Sequence, residues 1–140
     1  MKHILAALSC CLVAACATKP VAVSAAHDVP ADRAIAFTSP ADGSGTVTVV
    51  RDEGMTLSGC YLGVFINHQL AAKVGTGEKV TMYVPAGRWV MSAKSVGAGL
   101  CGTGLADRAE RSVALVVERG DAQTYRLGAD GQGTINLGPN

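Results

Sequence analysis

Residue types that usually carry catalysis or nucleic-acid recognition are scarce in this chain. Its 140 residues include three histidines, one tryptophan and only 4% aromatic residues, and the formal net charge is +1. No run of basic residues provides the electrostatic footprint of a nucleic-acid-binding surface. The spacings of common metal sites, C-x-x-C and H-x-H, are also absent. The sequence therefore predicts no nucleic-acid partner, no metal site and no cofactor.

Long hydrophobic runs are also lacking, with one partial exception at the N-terminus. Residues 4–15 form an apolar stretch after Lys2 and His3. It contains about a dozen residues, fewer than the roughly 20 that span a bilayer. A basic start, an apolar run and small residues before a cysteine predict a secretory signal peptide over residues 1–15. A short uncleaved anchor is the alternative.

The end of this stretch, LVAAC at residues 12–16, resembles a bacterial lipobox. The resemblance implies that Cys16 becomes the first residue of the mature protein and carries lipid. Ordinary signal-peptide cleavage after Ala15 or Ala17 is the alternative. Two or more acyl chains hold a protein stably at a membrane, whereas one chain does not. Because Ala17 is not the aspartate that usually retains lipoproteins in the inner membrane, we expect a lipid-anchored outer-membrane protein that faces the periplasm.

The segment that follows, residues 16–44, has no lasting hydrophobic period and contains Pro20, Pro30 and Pro40. This composition predicts a flexible tether, and about 28 residues of flexible coil span roughly 30 Å. The alternative is that residues 35–37 dock on the domain as an edge strand. Residues 45–140 are long enough for one domain with a real core.

The domain has the pattern of an all-β fold. It is rich in glycine, alanine and valine and poor in leucine and aromatic residues, which favours short strands and tight turns. Asn67-His68 stands where a two-residue hairpin turn is expected, Pro85-Ala86-Gly87 is expected to form the next turn, and Asp130-Gly131 is a second hairpin signal. Eight short strands at this spacing predict an antiparallel β-sandwich or barrel. The predicted strands cover residues 46–51, 60–67, 69–74, 78–84, 88–94, 113–117, 125–127 and 135–137.

Two of these turns resemble motifs of a known family. The segment VFINHQL at 64–70 resembles a "V-Y-I-D-G-x-x-V" hairpin, and YVPAGRW at 83–89 resembles the "V-P-P-G-x-H/Y" turn that follows it. Together they are similar to PEGA-type domains and related uncharacterised lipoprotein domains. The resemblance implies an immunoglobulin-like or prealbumin-like sandwich and no particular chemistry. His68 replaces the usual glycine, and Ala86 replaces the usual second proline.

The domain contains two cysteines, Cys60 and Cys101. In an oxidising periplasm such a pair is predicted to form a disulfide. Closing a loop of about 42 residues stabilises the fold by about 4 kcal/mol on the chain-entropy model. Two separate thiols are the alternative. A thiol nucleophile would also need a base, and the histidines after the leader, His27 and His68, have no evident reason to approach Cys101.

Other motifs are too weak to indicate a site. The bare G-x-G-x-x-G at 97–102 lacks the strand, helix and βαβ unit of a dinucleotide fingerprint. Ser58 lacks the flanking pattern of a nucleophile elbow. Asp107 and Glu110 alternate with Arg108 and Arg111, which favours a solvated charged turn over an acid/base pair or a cation site.

Three aromatic residues remain as candidates for a contact with a glycan or a partner. Trp89 is predicted to belong mainly to the core, whereas Tyr83 and Tyr61 fall in the opposite phase of their strands. From the sequence we expect no enzyme. The predicted role is a non-catalytic one in envelope structure or interaction, with a membrane contact through lipid and an envelope protein or glycan as partner. The alternatives are a periplasmic binding module for glycan, peptidoglycan or a small ligand, and a small hydrolase.

Overall fold

The computed structural model describes residues 18–103 and 109–140, and these form two packed β-sheets. Sheet I has the strand order β1-β5-β2-β8-β9, and sheet II has the order β4-β3-β6-β7. The predicted all-β sandwich is thus confirmed. The strands are β1 His27–Asp28, β2 Ser44–Arg51, β3 Tyr61–Ile66, β4 Gln69–Val74, β5 Glu78–Pro85, β6 Gly87–Val96, β7 Arg111–Val117, β8 Ala122–Ala129 and β9 Ile135–Pro139, and a 3₁₀ turn covers Gly99–Gly102.

Each of the eight predicted strands is present, and the ends differ by a few residues. Most neighbouring strands are antiparallel. Sheet I is mixed, however, because β2 and β8 run parallel, with Val49 opposite Tyr125. The short β1 is also parallel to β5, with His27 opposite Glu78. The sequence pattern contained no signal for β1, which is only two residues long.

Alternation along the strands directs one set of apolar side chains between the sheets. On β2, Val47 and Val49 are fully buried, and on β3, Leu62 and Val64 are fully buried. Burial of one such side chain stabilises the fold by about 1.5–3 kcal/mol. Residues of β4 to β9 complete the same core, among them Val74, Met82, Val84, Met91, Ala93, Leu115, Leu127 and Leu137.

The hairpin between β3 and β4 turns where the sequence predicted. Asn67 and His68 both have positive φ, 44° and 67°. That pair of values is typical of the two-residue turns whose twist matches that of antiparallel strands. The Asn67 side chain also accepts a hydrogen bond from the backbone N–H of Val90 at 2.9 Å. This contact ties the turn to the neighbouring strand β6.

The prediction of a flexible tether is wrong for its described part, residues 18–44. We call residues 18–43 the N-terminal strap, because they pack along the sandwich. Val21 and Ala26 of the strap cover Val50 on the outer face of sheet I, in a small apolar cluster. Val29 joins the main core, where Phe37 also packs and contacts the Trp89 ring edge-to-face with centroids 6.4 Å apart. Scattered apolar residues with no period can thus be buried by a surface that already exists.

The strap also bonds to strands of both sheets. On sheet I, the Val29 N–H donates to the Lys79 carbonyl at 2.9 Å. On sheet II, the Ile35 N–H donates to the Ala71 carbonyl at 2.8 Å. The strap therefore closes one open side of the sandwich and covers strand edges that would otherwise be free to pair with other chains. The alternative at residues 35–37 is closer to the structure: no strand forms there, but an isolated bridge joins the adjacent Ala34 to Ala72, and the Phe37 carbonyl accepts from the Tyr83 N–H at 2.8 Å.

Packing of the strap predicts slow hydrogen exchange. We expect the amides of Val29, Ile35 and Ala36 to be protected, because each donates to a backbone carbonyl of the sandwich. Hydrogen–deuterium exchange read by mass spectrometry or NMR measures this protection, and the urea-unfolded chain supplies the unprotected rate. Exchange at the unprotected rate over residues 29–36 in the folded protein would contradict the packing of the strap and support a flexible tether.

The sandwich has two distinct ends. We call one the disulfide end: it comprises residues 18–19 and the loops 52–60, 75–77, 97–103 and 130–134. We call the other the hairpin end: it comprises the turns at 67–68, 86 and 118–121. The functional residues that the sequence predicted in the domain lie mainly at the disulfide end.

Candidate functional site

Cys60 and Cys101 form a disulfide, as predicted. Cys60 immediately precedes β3, and Cys101 lies in the 3₁₀ turn, with their Cα atoms 5.5 Å apart. That separation is within the usual range for disulfides. The bond fastens the loop 52–60 to the loop 97–103. It also leaves neither sulfur free as a nucleophile, so the pair has a structural role.

A buried arginine holds the loop 52–60 through hydrogen bonds to its backbone. Arg51 is only 2% exposed, at the end of β2. Its guanidinium donates to the carbonyls of Cys60 at 2.7 Å, Val74 at 2.8 Å and Leu57 at 2.7 Å. Desolvation by burial lowers the pKa of Arg51 to about 10, against the opposing charge of Glu78, so the side chain still remains charged at neutral pH. Arg51 thus fixes the loop through carbonyls rather than through a counter-ion.

An ion pair lies in an open cleft beside the disulfide. Arg33 of the strap donates two hydrogen bonds to the carboxylate of Glu78, at 2.7 and 2.6 Å. The Arg33 guanidinium also lies 4.4 Å from the centroid of the Tyr61 ring, a cation–π contact. The cleft has a volume of about 270 Å³, and Ser58 and Cys60 line it. Since Glu78 is held by Arg33 and by the Gly75 N–H at 2.6 Å, it is not placed to activate Ser58.

The Arg33–Glu78 pair makes the free energy of unfolding depend on pH. The hydrogen bonds from Arg33 lower the pKa of Glu78 below its usual 4.5, and the Gly75 N–H adds to this. Because the folded pKa is lower than the unfolded one, this stabilisation is complete above pH 4.5 and is lost as pH falls through the lowered value. We expect Glu78→Gln to cost about 1.5–3 kcal/mol at pH 7.

Urea unfolding of wild type and Glu78→Gln between pH 7 and pH 3 tests this expectation. The stability difference between the two proteins should begin to shrink below pH 4.5, because the unfolded wild-type chain then takes up a proton that the folded carboxylate binds only at lower pH. Asp32→Asn is a matched control, because it removes the carboxylate next to Arg33 in the sequence and leaves the Arg33–Glu78 ion pair in place. A difference that stays constant with pH would contradict the role given to Glu78.

A second cleft lies on sheet I at the same end. It has a volume of about 380 Å³, and its lining includes Thr18, Arg111 and Gly128. Asp52 and Arg126 form an ion pair on its wall. Both charges are also held by the strap: Asp52 accepts from the Val21 N–H at 3.1 Å, and Arg126 donates to the Val21 carbonyl at 3.1 Å. These groups fasten the start of the strap.

The glycine motif at 97–102 forms a loop rather than a nucleotide site. A 3₁₀ turn of four residues stands where a dinucleotide site needs a helix. Gly97 and Gly99 have positive φ, 139° and 62°. A Cβ on Gly102 would lie 2.1 Å from the Gly97 carbonyl oxygen. The glycines therefore permit a tight turn beside Cys101.

The aromatic candidates divide as the strand phases predicted. Trp89 packs against the core and donates its indole N–H to the Pro85 carbonyl at 2.9 Å. Tyr61 is 44% exposed, and Tyr83 is half-buried on β5. His68 is at the hairpin end, away from the disulfide. His27 stands in β1 beside Gly77, to whose carbonyl its backbone N–H donates at 3.0 Å.

Several predictions concern residues outside those described. The signal peptide, Cys16 and Asp107 belong to this group. Over residues 18–103 and 109–140, no helix is long and apolar enough to cross a membrane. Within those same ranges, no group of three or more histidine, cysteine, aspartate or glutamate side chains is arranged to hold a metal ion.

Sequence reasoning missed the charged residues that organise this end. Arg51 follows Val47 and Val49 at intervals of two, so its inward phase could have been read from the alternation. Arg33 and Asp52 left no comparable signal, because their partners Glu78 and Arg126 are distant in sequence. No protein-family model matches the chain, and no curated protein is significantly similar to it.

Proposed function

We propose that this protein is a lipid-anchored periplasmic lipoprotein of the outer membrane, with a non-catalytic structural or interaction role in the cell envelope. The observation that carries the proposal is the lipobox-like segment ending in Cys16. Acyl chains on that residue would hold the sandwich at the membrane surface. Ala17, in place of aspartate, favours the outer membrane.

The chemistry of the described residues supports a structural role. The charged groups of the disulfide end are engaged within the molecule: Arg51 with three carbonyls, Arg33 with Glu78, and Asp52 with Arg126. Both cysteines of the domain are in the disulfide. A disulfide also suits an oxidising compartment such as the periplasm. These contacts rigidify the end of the domain and commit these five charged side chains to structure.

The two turns that resemble PEGA-type domains also support the proposal. Asn67-His68 connects β3 to β4, and Pro85 to Gly87 connects β5 to β6. The first is a hairpin turn within sheet II, and the second passes from sheet I to sheet II. We therefore propose a PEGA-like domain, in which the sandwich serves as a scaffold for contacts in the envelope.

Cys16→Ser tests the anchor. We expect the wild-type protein to remain in the outer-membrane fraction and the variant to be lost from it, because the thiol that accepts the lipid is gone. Cys11→Ser is the matched control: it removes a leader cysteine five residues upstream and should leave the distribution unchanged. Equal membrane retention of Cys16→Ser and wild type would contradict the proposal.

A binding module is the second candidate, and the cleft of about 380 Å³ favours it. Arg111 and Asn136 line this cleft beside the Asp52–Arg126 pair, and such polar groups suit a sugar or a small anion. Crosslinking in intact envelopes separates the two roles. Recovery of protein partners supports the scaffold, whereas retention of peptidoglycan that is lost with Arg111→Ala supports the binding module.

A further inference from the structure

Two large apolar side chains protrude from the disulfide end. Met55 is 81% exposed and Leu100 is 89% exposed, more than any other large hydrophobic residue that the structure describes. They stand on the two loops that the Cys60–Cys101 disulfide joins. Apolar surface held in water is unfavourable, so a pair of this kind at one end of a small domain indicates a surface that is covered in use.

The loops that carry these side chains are held in place. The carbonyls of Leu57 and Cys60 accept hydrogen bonds from Arg51. A turn hydrogen bond runs from the Ser58 N–H to the Met55 carbonyl at 3.2 Å. The second loop is fastened to the first through Cys101. Met55 and Leu100 are thus presented by a braced part of the fold.

The N-terminal end of the described chain lies against the same loop. The N–H of Lys19 donates to the carbonyl of Glu53 at 2.7 Å, and the Glu53 N–H donates back at 3.0 Å. Thr18 stands next to Gly54, because a Cβ added to Gly54 would lie 3.7 Å from the Thr18 Cα. Cys16 is two residues before Thr18, and two residues of extended chain span at most about 7 Å.

We propose that the disulfide end docks on the lipid bilayer and that Met55 and Leu100 insert at the boundary between headgroups and acyl chains. The inference rests on the proposed lipid anchor at Cys16. Because the strap is packed from Thr18 onward, a bilayer that holds Cys16 lies at most two residues of chain, about 7 Å, from the part of the strap that contacts the loop carrying Met55. Lys19, Glu53 and Arg111 surround this end and can stay among the polar headgroups while the two apolar side chains enter.

Fluorescence quenching by lipid tests the docking. The full-length protein, purified with its lipid, is placed in vesicles of phosphatidylethanolamine and phosphatidylglycerol, with or without bromine high on the acyl chains. Met55→Trp and Leu100→Trp are prepared with Trp89→Phe, so that each has a single tryptophan. We expect bromine to reduce the emission of both several-fold.

Two controls report the hairpin end. Wild type emits from Trp89, beside the Pro85 turn, and Val116→Trp replaces a 53% exposed residue of β7. Neither should be quenched. Melting curves measured beforehand verify that each variant is folded, which is expected because positions 55, 100 and 116 are exposed.

The outcomes separate the inference from the proposed function when the mass of the N-terminal peptide is measured on the same samples. Lipidated Cys16 with quenching at positions 55 and 100 alone supports the docking. Lipidated Cys16 without quenching there overturns the docking and leaves the anchor standing, and so does equal quenching at position 116. An unmodified Cys16 overturns the anchor and the docking together.

Discussion

Removal of the disulfide by the double change Cys60→Ala, Cys101→Ala is expected to lower the free energy of unfolding by about 4 kcal/mol. The two cysteines are 41 residues apart in sequence, so the bond removes much of the freedom of the unfolded chain. The loss is a large share of the 5–15 kcal/mol or so that stabilises a typical domain. Urea unfolding followed by circular dichroism measures it.

Reduction provides the matching control for this prediction. Dithiothreitol should lower the urea midpoint of wild type to that of the double variant and leave the variant unchanged, because the variant has no bond to reduce. Equal midpoints for oxidised wild type and the double variant would contradict the stabilising role of the disulfide.

Replacement of Arg51 by methionine is expected to destabilise the protein by about 2–4 kcal/mol. Methionine keeps much of the side-chain volume but cannot donate to the carbonyls of Leu57, Cys60 and Val74. A buried acceptor left without a donor costs about 1–3 kcal/mol, although the Leu57 carbonyl keeps a second donor, the Cys60 N–H at 3.0 Å. The relief of a desolvated charge, the effect that lowers the pKa of Arg51 to about 10, offsets part of this loss.

Arg51→Lys distinguishes hydrogen bonding from charge. Lysine keeps the positive charge, but its single ammonium lacks the planar fork that reaches carbonyls on two sides. We expect the free energy of unfolding of Arg51→Lys to lie between those of wild type and Arg51→Met. Thermal and urea unfolding measure all three proteins. Stability of Arg51→Met equal to that of wild type would show that the three hydrogen bonds contribute no net stabilisation.

The destabilising effects of disulfide removal and of Arg51→Met should not be additive. Arg51 and the disulfide both hold the segment that ends at Cys60. When one restraint is removed, the other has less ordered structure to stabilise, so their combined effect should be smaller than their sum.

The sandwich was readable from the sequence because alternation is a local property. In a strand such as 69–74, the alternation of its own residues indicates which side chains face the core. A turn such as Asn67-His68 is indicated by the backbone preference of its own two residues. The disulfide was readable for a different reason: Cys60 and Cys101 are the two cysteines in the domain, so only one pairing is possible within it.

The strap and the charged contacts of the disulfide end were not readable in the same way. Val21 and Val29 are isolated apolar residues among polar ones, and they are buried because sheet I already provides a surface for them. Arg33 meets Glu78 across 45 residues of sequence, a pairing set by topology. From the sequence alone, the prolines and mixed composition of the strap resemble those of a linker, because the surface of sheet I that buries its apolar residues is not visible there.

Packing of the strap changes what the lipid anchor would do. A tether of roughly 30 Å would let the domain sample the periplasm. The structure begins its packed contacts at Thr18 and Lys19, so an anchor at Cys16 would hold the domain close to the bilayer and in a restricted orientation. Placement and orientation at the membrane would then both follow from the proposed anchor.

Intact-protein mass spectrometry of the full-length chain, extracted from bacterial membranes, determines whether Cys16 is the lipidated first residue of the mature protein. We expect a polypeptide that starts at Cys16 and carries the added mass of a diacylglyceryl group and an amide-linked acyl chain. A polypeptide that retains residues 1–15, or one cleaved after Ala15 or Ala17 with no added lipid, would contradict it.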